Sequence, residues 1–179
     1  MDPRLGQPRP TDLRAHAEEL LATNRYLTLG TVTPHGRPWT SPVYFAADGL
    51  TSYYWCSTVD SQHSVNLARN GDVSLVVFDS TVAPYTGRAV YASGVAAPVT
   101  EGELDDALSV YPGPEARGGS SLDRDAVSAD SPWRVWRAVA TAVWVLCPRE
   151  RGRPCDLHGR SDDHRAAVVP ERDTPGTGR

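Results

Sequence analysis

The chain has 179 residues, with 18 basic and 22 acidic side chains and a net charge of −4 at pH 7. This length suits a single domain with a sizeable core, and the charge balance excludes the basic stripe that a nucleic-acid-binding protein needs. No apolar run reaches the roughly 18 residues of a membrane span and no apolar segment follows the N-terminus, so we expect neither membrane insertion nor secretion. Three cysteines leave an odd thiol, which favours reduced cysteines in a cytoplasmic protein.

The predicted domain covers residues 10–169. Residues 1–9 are polar and contain Pro, and residues 170–179 form a polar tail, so both ends are predicted to be disordered. Thr11 is placed to cap a first helix that runs to about Asn24. Its apolar residues recur at helical spacing; they are Leu13, Ala17, Leu20 and Leu21.

Three strands are predicted next, at Tyr26–Thr33, Trp39–Ala47 and Leu50–Thr58. They are rich in β-branched and aromatic residues, which suit a pleated and half-buried surface. The turn at 34–37 and the pair Asp48-Gly49 are strong hairpin signals. The pattern therefore predicts a meander that opens a small antiparallel barrel.

A short helix capped by Asp60 or Ser61 is predicted to run through Arg69. The apolar run Val73–Phe78 then predicts a central strand, and Arg88–Val99 predicts the next one.

The remaining pattern contains a bulge, a helix, a loop and a final strand. Gly94 is predicted to mark a bulge or a close approach of two backbones. Residues 101–110 suggest a helix, and residues 113–131 a flexible loop that would act as a gate over a substrate. Ala140–Leu146 is the sixth and last predicted strand.

The ordered combination of motifs resembles the pyridoxamine 5′-phosphate oxidase-like proteins, which bind FMN. The resemblance spans about residues 15–100 and extends more loosely to residues 143–146. The motifs that carry it are Gly36-Arg37-Pro38, Ser41–Phe45, Cys56-Ser57-Thr58, Ser61–Ser64, Asn66-Leu67 and Arg88–Tyr91 with Gly94. It implies a mainly β fold with peripheral helices (α+β): a six-stranded antiparallel split β-barrel that forms a homodimer.

The resemblance also implies where a cofactor would bind. The second strand would run along the flavin ring, and the end of the third strand with the following helix would hold the phosphate. Free N–H groups at a helix N-terminus favour an anion. The cofactor-binding residues implied in this way are Ser41, Val43, Tyr44, Ser57, Thr58, Gln62, His63 and Arg88. No catalytic side chain is assigned, because the cofactor itself performs hydride transfer.

Two departures from the family pattern bear on the substrate and the cofactor. Pyridoxamine phosphate oxidases place Arg-Lys where this chain has Gln62-His63, and a glutamine where it has Ala89. Charge-assisted bonds to phosphate are about twice as strong as neutral ones, so we expect a small organic substrate other than pyridoxamine phosphate. Enzymes with the same barrel also use the deazaflavin coenzyme F-420. The sequence therefore leaves F-420 as an alternative cofactor to FMN.

The main expectation is thus a dimeric, cytoplasmic, FMN- or deazaflavin-dependent oxidoreductase. The alternative is a non-catalytic protein of the same fold that binds a flavin, haem or another small ligand, and the substitution at Gln62-His63 favours it. Cys155, His158 and His164 raise the question of a metal ion, but their spacing matches no closed zinc pattern, so no metal site is predicted. By the resemblance, His158 would instead approach the substrate pocket.

Overall fold

The computed structural model describes residues 12–128, 130–149 and 152–171. The predicted disordered segment 1–9 and residues 172–179 of the predicted tail lie outside the described residues. Within the described ranges, one eight-stranded antiparallel sheet is surrounded by short helices. The strands are β1 Tyr26–Val32, β2 Pro38–Tyr44, β3 Ala46–Asp48, β4 Ser52–Thr58, β5 Asp72–Phe78, β6 Ala89–Pro98, β7 Trp133–Leu146 and β8 Arg165–Val169. The α-helices are α1 Leu13–Thr23, α2 Gln62–Leu67 and α3 Leu104–Val110, with single 3-10 turns at Glu101–Glu103, Glu115–Arg117 and Asp125–Val127.

The strand order is β2-β1-β5-β6-β7-β4-β3, and β8 adds to β7. This arrangement confirms the predicted mainly β fold with peripheral helices. The described residues form eight strands where six were predicted. One predicted run divides at Phe45 into β2 and β3, because β2 pairs with β1 whereas β3 pairs with β4. The eighth strand, Arg165–Val169, was not predicted.

The two predicted turns connect the meander as expected. Gly36 and Gly49 have φ angles of 76° and 58°, a region that glycine adopts without steric cost. The turn before β2 is closed by a hydrogen bond of 2.8 Å from the Thr33 N–H to the Arg37 carbonyl. Turn chemistry therefore sets the register of the first strands.

The first helix begins one residue later than predicted. Asp12, not Thr11, caps it, and one Asp12 carboxylate oxygen accepts hydrogen bonds from the backbone N–H groups of Arg14 and Ala15 at 2.9 and 3.1 Å. A carboxylate in this position satisfies N–H groups that lack a partner within the helix. The predicted apolar face is confirmed, since Ala17, Leu20 and Leu21 are buried and Leu13 packs against them.

Two apolar clusters lie on opposite faces of the sheet, because successive side chains of a strand alternate between faces. Trp55 on β4 points into the barrel interior, where its ring stacks on that of Trp136 with centroids 6.4 Å apart. Tyr54 points outward into a second cluster with Leu104 and Tyr111, on the side covered by α3. The outer cluster positions the segment that follows α3.

The bulge predicted at Gly94 is confirmed. The pairing of β6 with β7 shifts register between Ser93 and Gly94. A Cβ atom at Gly94 would lie 2.1 Å from the carbonyl oxygen of Val139, which only glycine avoids.

The other predicted segments differ in detail. The helix α2 ends at Leu67 instead of Arg69, and Ser61 occupies its N-cap position. The predicted helix over 101–110 is a 3-10 turn followed by α3. The predicted loop 113–131 contains two 3-10 turns and buries Val127 against the outer cluster. Among the described residues, no helix has the length and apolar content needed to cross a membrane.

Candidate functional site

A polar cluster lies where β2, β4 and the start of α2 meet. The Nε2 atom of His63 is 2.8 Å from the Ser57 hydroxyl and 3.1 Å from the Ser61 hydroxyl. Its Nδ1 atom is 3.3 Å from the hydroxyl of Ser41, which also accepts a hydrogen bond of 3.1 Å from the Trp39 indole. Strand alternation turns Ser41 and Ser57 to the same side of the sheet as His63. The structure thus brings together three residues that the resemblance assigned to cofactor binding.

The side chains of this cluster, Ser41, Ser57, Ser61 and His63, carry no fixed positive charge. Burial lowers the pKa of His63 below its ordinary value of 6.5, so its imidazole is neutral at pH 7. Gln62, the neighbouring candidate, donates a hydrogen bond of 2.9 Å to the Asn66 side chain, which is fully buried. The hydrogen-bonding groups of this cluster are therefore already engaged with one another.

The other candidates lie elsewhere. Val43 is 7% exposed and belongs to the barrel core, whereas Tyr44 points to the outer face. Thr58 contributes its carbonyl oxygen to Ser61, at 3.0 Å from the hydroxyl. Arg88 pairs with Glu19 of α1 at 2.7 Å and is not brought to the His63 cluster within this chain.

A cavity of about 510 Å³ opens on the outer face of β2 and β4. Its walls are aromatic rings from the strands, one thiol, and the segment that follows α3. The lining residues are Tyr26, Tyr44, Cys56, Tyr111, Pro112, Gly118, Gly119, Ser120, Leu122, Ala126 and Trp133. The predicted loop 113–131 therefore does lie over a cavity.

The Tyr44 side chain contacts several parts of the cavity wall. Its ring makes edge-to-face contacts with Tyr26 and Tyr111, each with centroids 6.0 Å apart. Its hydroxyl donates a hydrogen bond of 2.8 Å to the Pro112 carbonyl. This side chain is therefore one of the links between the strand and the overlying segment.

Cys56 and Tyr111 on the cavity wall are neutral at pH 7, and a cation lies near them. Burial raises the pKa of Cys56 to about 11, so this residue is a thiol and not a nucleophilic thiolate. Burial likewise raises the pKa of Tyr111 to about 12. The guanidinium of Arg117 lies over the ring of Tyr44 at 5.8 Å from its centroid. Its Nε atom is buried and has no hydrogen-bond partner within the described part of the chain.

With this geometry in view, the comparisons with known proteins identify the family. The model of the pyridoxamine 5′-phosphate oxidase family matches residues 13–147. The chain belongs to this family. No curated protein matches the chain.

Solved structures of the same fold agree with the family match. A haem-binding protein from Mycobacterium smegmatis is 21% identical with a TM-score of 0.65; the match covers 90% of this chain and 59% of that protein. An F420 reductase is 26% identical with a TM-score of 0.52, over 70% of this chain and 94% of the reductase. The haem storage protein HutZ from Vibrio cholerae is 21% identical with a TM-score of 0.59, over 77% of this chain and 97% of its own.

Among the aromatic residues of the cavity wall, sequence reasoning assigned only Tyr44 to the site. Tyr26 and Trp133 are 61% and 48% exposed, and both line the cavity that Tyr44 also lines. The register would have indicated Tyr26, since it pairs directly with Tyr44 across β1 and β2. Trp133 was interpreted as a structural aromatic residue, and the start of β7 was predicted seven residues too late.

A second group of side chains was also missed. Cys147, Cys155, His158 and His164 come together at the end of β7, with their ligand-type atoms all within 4.8 Å of one another. Cys147 was not among the residues considered for a metal, and His158 was expected near the substrate pocket. The structure places His158 in this group and not on the wall of the cavity.

Proposed function

We propose that this protein is an oxidoreductase that uses a flavin-type cofactor, FMN or the deazaflavin F-420, to transfer hydride to or from a small organic molecule. The observation that carries the proposal is the aromatic-walled cavity of about 510 Å³ on the barrel of a pyridoxamine 5′-phosphate oxidase family member. This volume falls within the range of about 300–1,000 Å³ that is typical of small-molecule sites. Similarity to an F420 reductase at 26% identity supports including the deazaflavin.

The residues present fit a planar, partly anionic ring system. The rings of Tyr26, Tyr44 and Trp133 offer apolar faces against which a flat heterocycle would pack. The Arg117 guanidinium, which donates to the Asn24 carbonyl and lies over the rings of Tyr44 and Phe45, places a positive charge near this wall. When bound, the cofactor would supply the hydride chemistry. The chain would bind and orient it and limit the access of water.

The phosphate group would need donors of its own. Ser57, Thr58, Gln62 and His63 remain the residues proposed for it, through hydroxyl, amide and imidazole groups. Because His63 is neutral and hydrogen-bonded to Ser57, phosphate would have to exchange for that internal contact. We therefore expect weaker binding of FMN than a site with two fixed cations would give.

We extend the proposal to a homodimer. Several large apolar side chains on the strands are exposed, among them Trp39 at 43% and Phe78 at 50%. Burial of such side chains in a subunit interface is favourable by roughly 25 cal/mol per Å² of apolar surface. Multi-angle light scattering of the purified protein would measure the mass; a monomer at micromolar concentration would overturn this part.

The proposal is tested by titrating the purified protein with FMN and with F-420, each followed by desalting and a visible absorption spectrum. We expect one of the two chromophores to remain bound and then to be reduced by a hydride donor. Gly119→Ala is a variant aimed at the cavity, since its Cβ would lie 2.6 Å from the Tyr44 hydroxyl and 2.8 Å from Pro112. Gly102→Ala is the matched control, because a Cβ there meets nothing within 4 Å.

The expected result is a loss of affinity of about tenfold or more in Gly119→Ala and wild-type affinity in Gly102→Ala, a difference of about 1.4 kcal/mol. Equal affinity in both variants would show that the ligand binds outside this cavity. Failure of the wild-type protein to retain either chromophore would overturn the cofactor assignment itself.

A second function is favoured by one specific observation. His63 is hydrogen-bonded to Ser57, and Cys56 and Tyr111 on the cavity wall are a neutral thiol and a neutral phenol. None of these three groups is therefore set up to act as a general acid or base. A non-catalytic barrel that binds a flavin, haem or another small ligand would need none. Retention of a chromophore that no hydride donor reduces would select this function over the oxidoreductase.

A further inference from the structure

Four metal-ligating side chains converge where the chain leaves β7 and enters β8. They are Cys147, Cys155, His158 and His164. The His158 Nδ1 atom is 3.4 Å from Cys147 Sγ, 3.6 Å from Cys155 Sγ and 3.4 Å from His164 Nε2. Cys155 Sγ is 3.6 Å from His164 Nε2.

These four separations match four of the six edges of a tetrahedron around a zinc ion, and the other two pairs of ligand-type atoms lie within 4.8 Å. Bond lengths of about 2.3 Å to sulfur and 2.0–2.1 Å to nitrogen give edges of about 3.6 Å for S···N and about 3.4 Å for N···N. The measured S···N distances are 3.4, 3.6 and 3.6 Å, and the N···N distance is 3.4 Å. Hydrogen bonds connect these groups in pairs, and the convergence of four ligand-type atoms within 4.8 Å of one another also fits a single ion.

The backbone fixes the positions of all four residues. Cys147 directly follows β7 and His164 directly precedes β8, and the Cys147 N–H donates a hydrogen bond of 2.9 Å to the His164 carbonyl. Cys155 and His158 share a turn that is closed by a bond of 2.9 Å from the Gly159 N–H to the Cys155 carbonyl. In that turn the His158 N–H points at Cys155 Sγ at 3.3 Å, an arrangement that suits a sulfur carrying negative charge.

The tautomer of His164 is also set for binding. Its Nδ1 atom lies 3.0 Å from the Asp162 carbonyl, an acceptor, so Nδ1 carries the proton and Nε2 presents its lone pair to the group. A ligating histidine held in this way by a backbone carbonyl is the usual arrangement at metal sites. Cys147, Cys155 and His164 are 4%, 1% and 8% exposed, whereas His158 is exposed and gives the ion a route of entry.

We propose that these four residues bind one Zn²⁺ ion as a structural site. Two thiolates and two imidazoles in a tetrahedron select zinc over the hard cations Mg²⁺ and Ca²⁺. Four protein ligands leave no position open for water or substrate, so the ion would stabilise the fold and not act in catalysis. Cys147 is the last residue of the family match, and the other three ligands follow it, so the site belongs to the C-terminal segment of this chain. The ion would link that segment and β8 to the barrel core, to which both cysteines belong.

The first experiment uses the full-length protein, purified under reducing conditions without chelator, with its zinc content measured by mass spectrometry. We expect about one zinc ion per chain. After removal of the metal, titration with Co²⁺ should give the visible bands of tetrahedral cobalt and the near-ultraviolet charge-transfer band of thiolate ligation, saturating at one ion per chain. This measurement on the wild-type protein does not depend on the folding of any variant.

Variants then locate the ion. Cys155→Ser and His164→Ala should lose at least about nine-tenths of the bound zinc, since each removes one ligand of a closed site. Cys56→Ser and His35→Ala are the matched controls, because neither residue belongs to the group, and both should keep the wild-type content.

Three results would overturn the proposal. Reduced wild-type protein that binds neither zinc nor cobalt would leave the group as packed core side chains. Zinc retained in both Cys155→Ser and His164→Ala would place the ion elsewhere. A disulfide between Cys147 and Cys155 that persists under reducing conditions would remove both thiolates.

Discussion

The close approach of β6 and β7 makes Gly94→Ala the sharpest test of the barrel geometry. The added Cβ would lie 2.1 Å from the Val139 carbonyl oxygen and 2.7 Å from the Cα atom of Ala140. Both are backbone atoms, so no rotation of a side chain relieves the overlap. To restore an ordinary C···O contact of about 3.3 Å, the two strands must separate by about 1 Å.

The expected cost follows from two contributions. Overpacking of a closely packed interior costs about 1–3 kcal/mol, and one or two weakened ladder hydrogen bonds add about 1 kcal/mol each. We therefore expect the free energy of unfolding to fall by about 2–5 kcal/mol, a large part of the roughly 5–15 kcal/mol of a typical domain. For a chain of this size, a loss of 3 kcal/mol lowers the melting temperature by about 6–12 °C.

Urea denaturation followed by tryptophan fluorescence measures this change, since Trp55 and Trp136 stack in the core. Gly102→Ala serves again as the control and should stay within about 0.5 kcal/mol of the wild type. If Gly94→Ala unfolds within 1 kcal/mol of the wild type with an unchanged m-value, about the effect of a surface substitution, the argument from the bulge is refuted.

Three further predictions concern the interior and the cavity. Burial lowers the pKa of His16 and of His63 below 6.5, so the unfolded chain takes up protons first as the pH falls. The free energy of unfolding should therefore decrease below about pH 6.5, by about 1.4 kcal/mol for each unit by which a pKa is lowered. A urea midpoint that stays the same between neutral and mildly acidic pH would contradict this. Tyr44→Phe removes the hydroxyl that donates to the Pro112 carbonyl, so the free energy of unfolding should fall by about 0.5–1.5 kcal/mol and the segment after α3 should be cleaved faster by a protease. Unchanged cleavage of that segment would show that another contact holds it. Asn66→Ala removes a fully buried amide and should destabilise by about 1–3 kcal/mol, measured by the same denaturation; a neutral effect would mean that the groups it leaves are hydrated.

The sequence predicted those parts of the fold that local chemistry determines. The turns at Gly36 and Gly49, the apolar face of α1 and the bulge at Gly94 follow from single residues or short periodic patterns, and the structure has them where they were expected. The early part of β7 was not predicted, because the last strand was expected to begin at Ala140. In the structure the Arg137 guanidinium pairs with Glu103 at 2.8 Å, which lets a charged residue remain in a half-buried strand.

The cysteine and histidine group shows why local patterns were insufficient for a site formed by pairing. Cys147 and His164 are neighbours only because β8 continues the ladder of β7, and β8 was not predicted. Without that strand, the spacing of Cys155, His158 and His164 lacked a fourth ligand and matched no closed zinc pattern. Prediction of the short strand β8 would have indicated Cys147 as the fourth ligand.

The predicted cofactor residues divide by strand geometry in a way that constrains any ligand. Ser41 and Val43 point to the interior side of β2 and Tyr44 to the outer side, so no ligand lying on one face of this strand contacts all three side chains. However, β2 ends the strand order, and one of its edges has no partner strand within the described residues. Along such an edge the backbone N–H and C=O groups are available to a ligand whichever way the side chains point. A cofactor that reaches from the cavity of Tyr44 toward the His63 cluster would therefore have to pass this edge, and its polar atoms would contact the backbone of β2 more than its side chains.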